Sequence, residues 1–155
     1  MRFKKNIISL ILLLFFTNCG FTPIYKDGIN LNTKIVFDKI LGDRSMNNMI
    51  RSNLNRYSYE EADKIVQIDL NTIYEKNILA KDSTGKTTDY QIMIKAIFNI
   101  TTENTNQEII ITETFDYKSF TKNFEELEYE QTVKQNMANL ISKKLSNKLS
   151  KIKWF

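Results

Sequence analysis

The 155-residue chain contains no histidine, one cysteine, one proline and four glycines, and each scarcity removes a class of protein. Without histidine, the usual Ser-His and Cys-His catalytic pairs and histidine-ligated zinc sites cannot be built. No recognisable acid pair takes their place, so no catalytic residue, metal site or cofactor is expected and the protein is read as a non-enzyme. A lone cysteine excludes an intramolecular disulfide and a Cys-x-x-Cys metal knuckle. Few glycines and prolines leave room for long regular elements with short connections. Internal repeats and low-complexity tracts are absent. What is present is 42% apolar and 26% charged residues, enough to bury a core and unlike a disordered tail.

The N-terminus explains the cysteine. Arg2, Lys4 and Lys5 precede an apolar run over 7–16 that holds a single serine, Ser9, followed by Thr17, Asn18, Cys19 and Gly20. Spanning a bilayer takes about twenty apolar residues and this run has half of that, so residues 1–18 read as a signal peptide. Cys19 stands where cleavage is expected, in a setting that resembles the lipobox of bacterial lipoproteins. That resemblance implies a diacylglyceryl thioether on the Cys19 sulfur and an acylated amine, palmitate being a typical chain. Two or three chains anchor a protein stably, whereas one gives marginal binding. A stray cysteine beside an ordinary cleavage site is the alternative. Gly20 is not the aspartate that retains enteric-type lipoproteins in the inner membrane, so the outer membrane is the expected destination. Cleavage removes three basic residues and leaves 19 basic against 18 acidic, a net charge of +1. A near-neutral mature chain gives no reason to expect nucleic acid as a partner.

Residues 19–32 include Pro23 and Gly28 and lack periodicity, which reads as a lipidated tether able to stretch roughly 45–50 Å. Residues 33–155 read as a single domain. A short strand over 33–40 ends at Gly42 and Asp43, and Ser45 is placed to cap a helix whose face carries Met46, Met49, Ile50, Leu54 and Tyr57. Alternation over 65–76 puts Val66, Ile68, Leu70 and Tyr74 on one face. Alternation over 88–100 does the same for Tyr90, Ile92, Ile94, Ala96, Phe98 and Ile100, with a hairpin between the two strands. A turn at 103–106 leads to a strand over 108–117 carrying Ile109, Ile111, Phe115 and Tyr117, where Glu113 interrupts the apolar face and marks a bulge or an edge. The last element, from Glu125 to about Lys151, predicts a long helix with Val133, Met137, Leu140, Ile141, Leu145, Leu149 and Ile152 as its stripe. Its early glutamates (125, 126, 128 and 130) and late lysines (143, 144, 148 and 151) match the helix dipole and read as solvated. The order β-α-β-β-β-α predicts an α+β two-layer sandwich: a mostly antiparallel four-stranded sheet covered on one face by two helices.

Residues 80–87, A-K-D-S-T-G-K-T, superficially match a phosphate loop. A phosphate loop must open a helix, and here the downstream segment alternates as a strand, so the segment is read as a hairpin with Gly85 at positive φ. The sequon at Asn99 is assigned no role. Cys19-Gly20-Phe21-Thr22-Pro23-Ile24-Tyr25 and Asp82-Ser83-Thr84-Gly85-Lys86-Thr87-Thr88-Asp89-Tyr90, with this element order and a terminal amphipathic helix, resemble the LPS-assembly lipoprotein family (LptE). That resemblance implies an outer-membrane lipoprotein on the periplasmic side. It would plug and help assemble a large LptD-like β-barrel, the lipopolysaccharide translocon, and assist insertion of lipopolysaccharide into the outer leaflet. An auxiliary lipoprotein of an envelope ABC system moving phospholipid is the alternative.

A parallel first pair of strands would bring the loops 41–45, 81–87 and 118–124 to one end. Arg44, Lys81, Lys86, Lys118 and Lys122, interleaved with Phe120 and Phe124, then form the candidate site for lipid A phosphates. Solvated lysine-rich loops, diluted by Asp43, Asp82, Asp89 and Asp116, are the plainer reading. Trp154 would lie at the opposite end, closing the core or meeting a barrel or membrane surface.

Overall fold

The alternating segments assemble into a four-stranded sheet in the computed structural model, which describes residues 33–151. The signal segment, Cys19, the tether, Ile152 and Trp154 lie outside the described residues. The elements are β1 (Lys34–Gly42), α1 (Arg44–Asn55), β2 (Ile65–Lys81), β3 (Thr87–Thr101), β4 (Asn106–Lys118) and α2 (Asn123–Leu149). The strands lie in the order β1-β2-β3-β4. The β1–β2 pair is parallel because the α1 crossover returns the chain to its starting end, and the other pairs are antiparallel. The α+β sandwich with two helices on one sheet face is therefore as the sequence predicts.

Period-two patterning decides which sheet face is covered. Val66, Ile68, Leu70, Ile92, Ile94, Ala96, Phe98, Ile100, Ile109 and Ile111 are all buried, while Gln67, Glu75, Asn77 and Asn99 face out and stay exposed. Met46, Ile50 and Leu54 of α1 and Val133, Met137, Ile141, Leu145 and Leu149 of α2 complete the core. A stripe of small residues, Ala138, Ser142 and Ser146, is buried as well. Ser142 Oγ donates to the Ala138 carbonyl at 2.8 Å and approaches that of Ile50 at 3.4 Å, so this stripe is where α2 meets α1. Among the described residues no helix is long and apolar enough to cross a membrane.

Several local expectations are corrected. Asp43, not Ser45, caps α1: its carboxylate accepts the Met46 amide at 2.8 Å. Leu140 is 43% exposed rather than core, and Phe115 is 39% exposed. Both line a shallow groove between β4 and α2. Glu113 sits on an edge strand whose register with β3 has no shift, so the edge expectation holds and no bulge occurs. Its carboxylate, facing the helix layer, takes Lys144 of α2 as partner.

The exit from β1 is the tightest point of the fold. Gly42 has φ +90°, and a Cβ there would lie 1.9 Å from the Thr72 carbonyl oxygen. The Asp43 amide donates to that same oxygen at 3.1 Å. Thr72 Oγ1 donates to Asn47 Oδ1 at 2.8 Å, and Asn47 Nδ2 donates to the Leu41 carbonyl at 2.9 Å. This knot ends β1 opposite Thr72, whereas β2 continues to Lys81.

Gly42→Ala is expected to lower stability by at least about 1–3 kcal/mol, because the side chain meets both a left-handed backbone and a carbonyl. Thermal or denaturant unfolding measures it. On α2, Leu140→Lys should leave stability within about 0.5 kcal/mol, as for an ordinary surface change, while Ile141→Lys buries an unpaired charge and should prevent folding.

Candidate functional site at the hairpin tip

The β2–β3 hairpin carries the end of the sheet farthest from the entry of the chain at Thr33. Its turn is built by Asp82. The Asp82 carboxylate accepts the Thr84 amide at 2.8 Å, the Thr84 hydroxyl at 2.6 Å and the Lys86 amide at 3.0 Å. Hydrogen bonding from Thr84 above all holds this carboxyl below the usual range. Asp82 and Lys86 close the loop through their backbones, and Gly85 takes φ +86° at no steric cost. The phosphate-loop likeness is thus a hairpin turn feeding a strand.

Lys81 and Lys86 are exposed at this tip. Lys118 joins them, since it pairs with Asp89 across the β3–β4 ladder and Asp89 in turn pairs with Ala80. Ser119 stitches the start of the β4–α2 connection to the hairpin, its amide donating to the Thr88 carbonyl and its hydroxyl to that of Thr87, both at 2.8 Å. Lys122 follows and is held at 2.8 Å by Glu125, its charge partly offset. Arg44 is not brought to this cluster. It starts α1 beside the Gly42–Thr72 pairing, nine residues of β2 short of Lys81, a separation of roughly 30 Å along an extended strand. The topology gives these loops one direction, but β1 is too short to carry Arg44 to the tip. Phe120 packs against Tyr129, with ring centroids 5.1 Å apart, and Phe124 is 70% exposed.

Beneath the tip lies a charged network that includes Glu126 and Glu130, two glutamates expected from the sequence to be solvated. Lys76 Nζ donates to Glu126 at 2.8 Å and to Glu130 at 3.1 Å and sits 4.2 Å from the Tyr90 ring centroid. The Tyr74 hydroxyl donates to Glu130. Lys134 pairs with Glu130 at 3.0 Å and stacks its ammonium 4.0 Å from the Tyr74 ring centroid. The rings of Tyr90, Tyr117 and Tyr129 pack alongside in tilted pairs at centroid spacings of 5.5 and 5.6 Å. This network replaces the aliphatic core where the first third of α2 crosses the hairpin. Its signal in the sequence is phase: Lys76 follows Tyr74 on the covered face of β2, and Glu126 and Glu130 precede Val133 and Met137 on the covered stripe of α2.

The electrostatics follow from the partners. Burial opposes ionisation of Glu130, but hydrogen bonds from Tyr74, Lys134 and Lys76 outweigh it and lower its pKa from 4.5 to about 2. Glu126 is also lowered, Lys76 and the Phe120 amide prevailing over burial. Burial likewise opposes the Lys76 ammonium, yet Glu126, the nearby Tyr117 hydroxyl and Glu130 raise its pKa. Tyr74 is raised by burial and by its bond to Glu130. Tyr117 is raised mainly by burial; although its hydroxyl feels the Lys76 charge, it makes no hydrogen bond of good geometry. The arrangement can hold a rigid, cation-tipped end but offers no nucleophile paired with a base.

Comparison with known proteins places the fold. No family model matches the chain, and no curated protein sequence matches it significantly. Among solved structures, the chain is similar to rare lipoprotein B from Shewanella oneidensis, with a TM-score of 0.53 and 14% identity, covering 73% of this chain and 96% of that one. It is also similar to a putative lipoprotein from Caulobacter crescentus, with a TM-score of 0.53, 9% identity, and coverage of 80% and 91%. An uncharacterized lipoprotein B from Nitrosomonas europaea gives 0.50 with 17% identity and coverage of 78% and 86%. At these identities the likeness is one of fold.

The depressed Glu130 carboxyl predicts an acid-sensitive stability. A lowered folded pKa stabilises above the ordinary 4.5 and loses that contribution as pH falls towards about 2. Glu130→Gln should therefore lower stability at pH 7 and flatten its fall between pH 4.5 and 2, as read by denaturant unfolding across that range.

Proposed function

We propose that the protein is an outer-membrane lipoprotein, anchored through Cys19 on the periplasmic side. In this reading it plugs and helps assemble an LptD-like β-barrel translocon and assists passage of lipopolysaccharide to the outer leaflet. It acts by binding and not by catalysis. The observation that carries this reading is the placement of Lys81, Lys86 and Lys118 at the free tip of the sheet, at the end opposite Thr33, where the tether enters. The β3 strand between the two ends has fifteen residues, about 50 Å of extended chain. A lipid-held body would thus offer cations at the end of the domain opposite the point where the chain enters it at Thr33, where phosphates of a passing glycolipid can be met by charge-assisted hydrogen bonds. The fold shared with lipoproteins of other bacteria supports it, as do the lipobox-like start and the Asp82–Tyr90 segment.

The test is binding of purified lipopolysaccharide to the soluble domain. Replacing Lys81, Lys86 and Lys118 together by Glu should weaken binding at least about tenfold and leave the unfolding midpoint nearly unchanged. Arg44→Glu, remote from the tip, should not weaken it. Equal affinity of the triple variant and the parent, or an equal loss from Arg44→Glu, would remove the tip from the reading. Cys19→Ala is expected to abolish acyl labelling and to leave the precursor uncleaved.

A further inference from the structure

The early exit of β1 leaves an unoccupied lane beside β2. Pairing between the two strands stops at Gly42 and Thr72, and β2 runs on through Ile73–Lys81 with no strand on that side among the described residues. The Asp43 amide donates to the Thr72 carbonyl, so the backbone groups of Thr72 point toward the β1 side. In an extended strand alternate residues share that direction, which turns the amide and carbonyl of Tyr74, Lys76 and Ile78 toward the empty lane. Residues 73, 75 and 77 are thereby engaged with β3.

The surroundings of this lane differ from those of a protected edge. Native edges are blunted by proline, exposed charge or bulges; the register of β2 with β3 shifts only beyond Ile78, so Ile73–Ile78 is a regular stretch. It has no proline, the exposed Glu75 lies on the opposite sheet face, and the ammonium of Lys76 is paired with Glu126 and Glu130. Ile78 is 53% exposed and Leu41, at the end of β1, is 62% exposed. Phe124 and Leu127 add 70% and 64%. They lie about five and three whole turns before Ser142 and Ala138, on the flank of α2 that meets α1 lower down. The lane is therefore the place where β1 and α1 have both stopped while β2 and α2 continue. Charge at its two ends is positive. Arg44 stands at one end and Lys81 at the other, and the acids beside them, Asp43 and Asp82, are spent on capping α1 and building the turn. A cation at the first position of a helix also opposes the dipole, so Arg44 contributes nothing to α1.

We propose that the Ile73–Ile78 edge is a docking site for an extended segment of a partner polypeptide, apolar at its centre and acidic towards its ends, which adds a strand in the lane vacated by β1. A ladder of unpaired amides and carbonyls is matched by another backbone and not by acyl chains. This site borders the cationic tip at Lys81, but it rests on the backbone ladder of β2, so its test reads amide protection apart from lipopolysaccharide binding.

The experiment is amide hydrogen exchange at residue resolution, on the isolated protein and on the native detergent-extracted complex. In the isolated protein Tyr74, Lys76 and Ile78 should exchange fast and residues 73, 75 and 77 slowly. In the complex all six should be slow, the first three by about 100-fold or more. Ile78→Pro removes one outward amide at an edge position that tolerates proline. It should keep the unfolding midpoint and lipopolysaccharide binding of the parent and weaken retention of the partner by about tenfold. Arg44→Glu should also weaken retention while stabilising the isolated domain. Fast exchange at Tyr74, Lys76 and Ile78 in the complex would overturn the proposal. So would protection produced by lipopolysaccharide alone, which would mean a lipid cover, or protection that grows with concentration of the isolated protein, which would mean a second copy.

Discussion

The Gly42 exit sets the rest of the architecture. A chain that must leave the sheet in a left-handed conformation, with no room for a Cβ against the Thr72 carbonyl, fixes where β1 ends and where α1 begins. The Asp43 cap, Asn47 and Thr72 then hold that geometry by hydrogen bonds. Since α1 starts there and returns to the base, the lower half of the sheet receives two helices and the upper half only one. The same constraint that closes the core at one end leaves a long, singly covered hairpin at the other.

The two halves are held by different physics. Below Thr72 the layers are joined by fully buried aliphatic side chains such as Ile50, Leu70, Ile94 and Ile141, whose removal from water drives the packing. Above it, α2 is seated by Lys76, Glu126, Glu130, Lys134 and a group of tyrosine rings. Breaking one member of a half-buried ionic group leaves its partners without compensation. Directional contacts of this kind join the hairpin to α2 in the region that α1 does not cover. The result is an extension of the sheet that carries Lys81, Lys86 and Lys118 at its end.

Much of the fold is legible in the sequence because strict alternation leaves little freedom: Val66, Ile68 and Leu70, or Ile92 through Ile100 in steps of two, can be buried together only in a strand with one covered face. The helix of Met46, Ile50 and Leu54 is equally constrained by its period. What escapes is whatever depends on relative lengths and on pairing in space. Leu140 fits the helical stripe by hydrophobicity, but it sits on the side of α2 where only the edge strand β4 stands beside it. Arg44 shares a direction with the tip lysines and not a position, because the strand before it is short. Glu126 and Glu130 read as ordinary surface charges until their phase, and that of Lys76 on β2, is compared with the apolar residues around them. Ala138, Ser142 and Ser146 show no apolar pattern at all, and their burial follows from the close approach of α1.

In the proposed role these features serve contact at two adjoining places: a cationic tip and an open strand edge, both beyond the reach of α1. The account's central claim is that the tip meets the phosphates of a glycolipid while the protein sits in a barrel complex. The most direct measurement is photocross-linking in intact cells from a probe placed at Ser83, between the two tip lysines, followed by isolation of the outer-membrane complex. The account predicts a cross-linked adduct carrying lipopolysaccharide together with a stoichiometric large β-barrel in the same particle. An adduct carrying phospholipid alone, in a particle with inner-membrane transporter subunits, would contradict it.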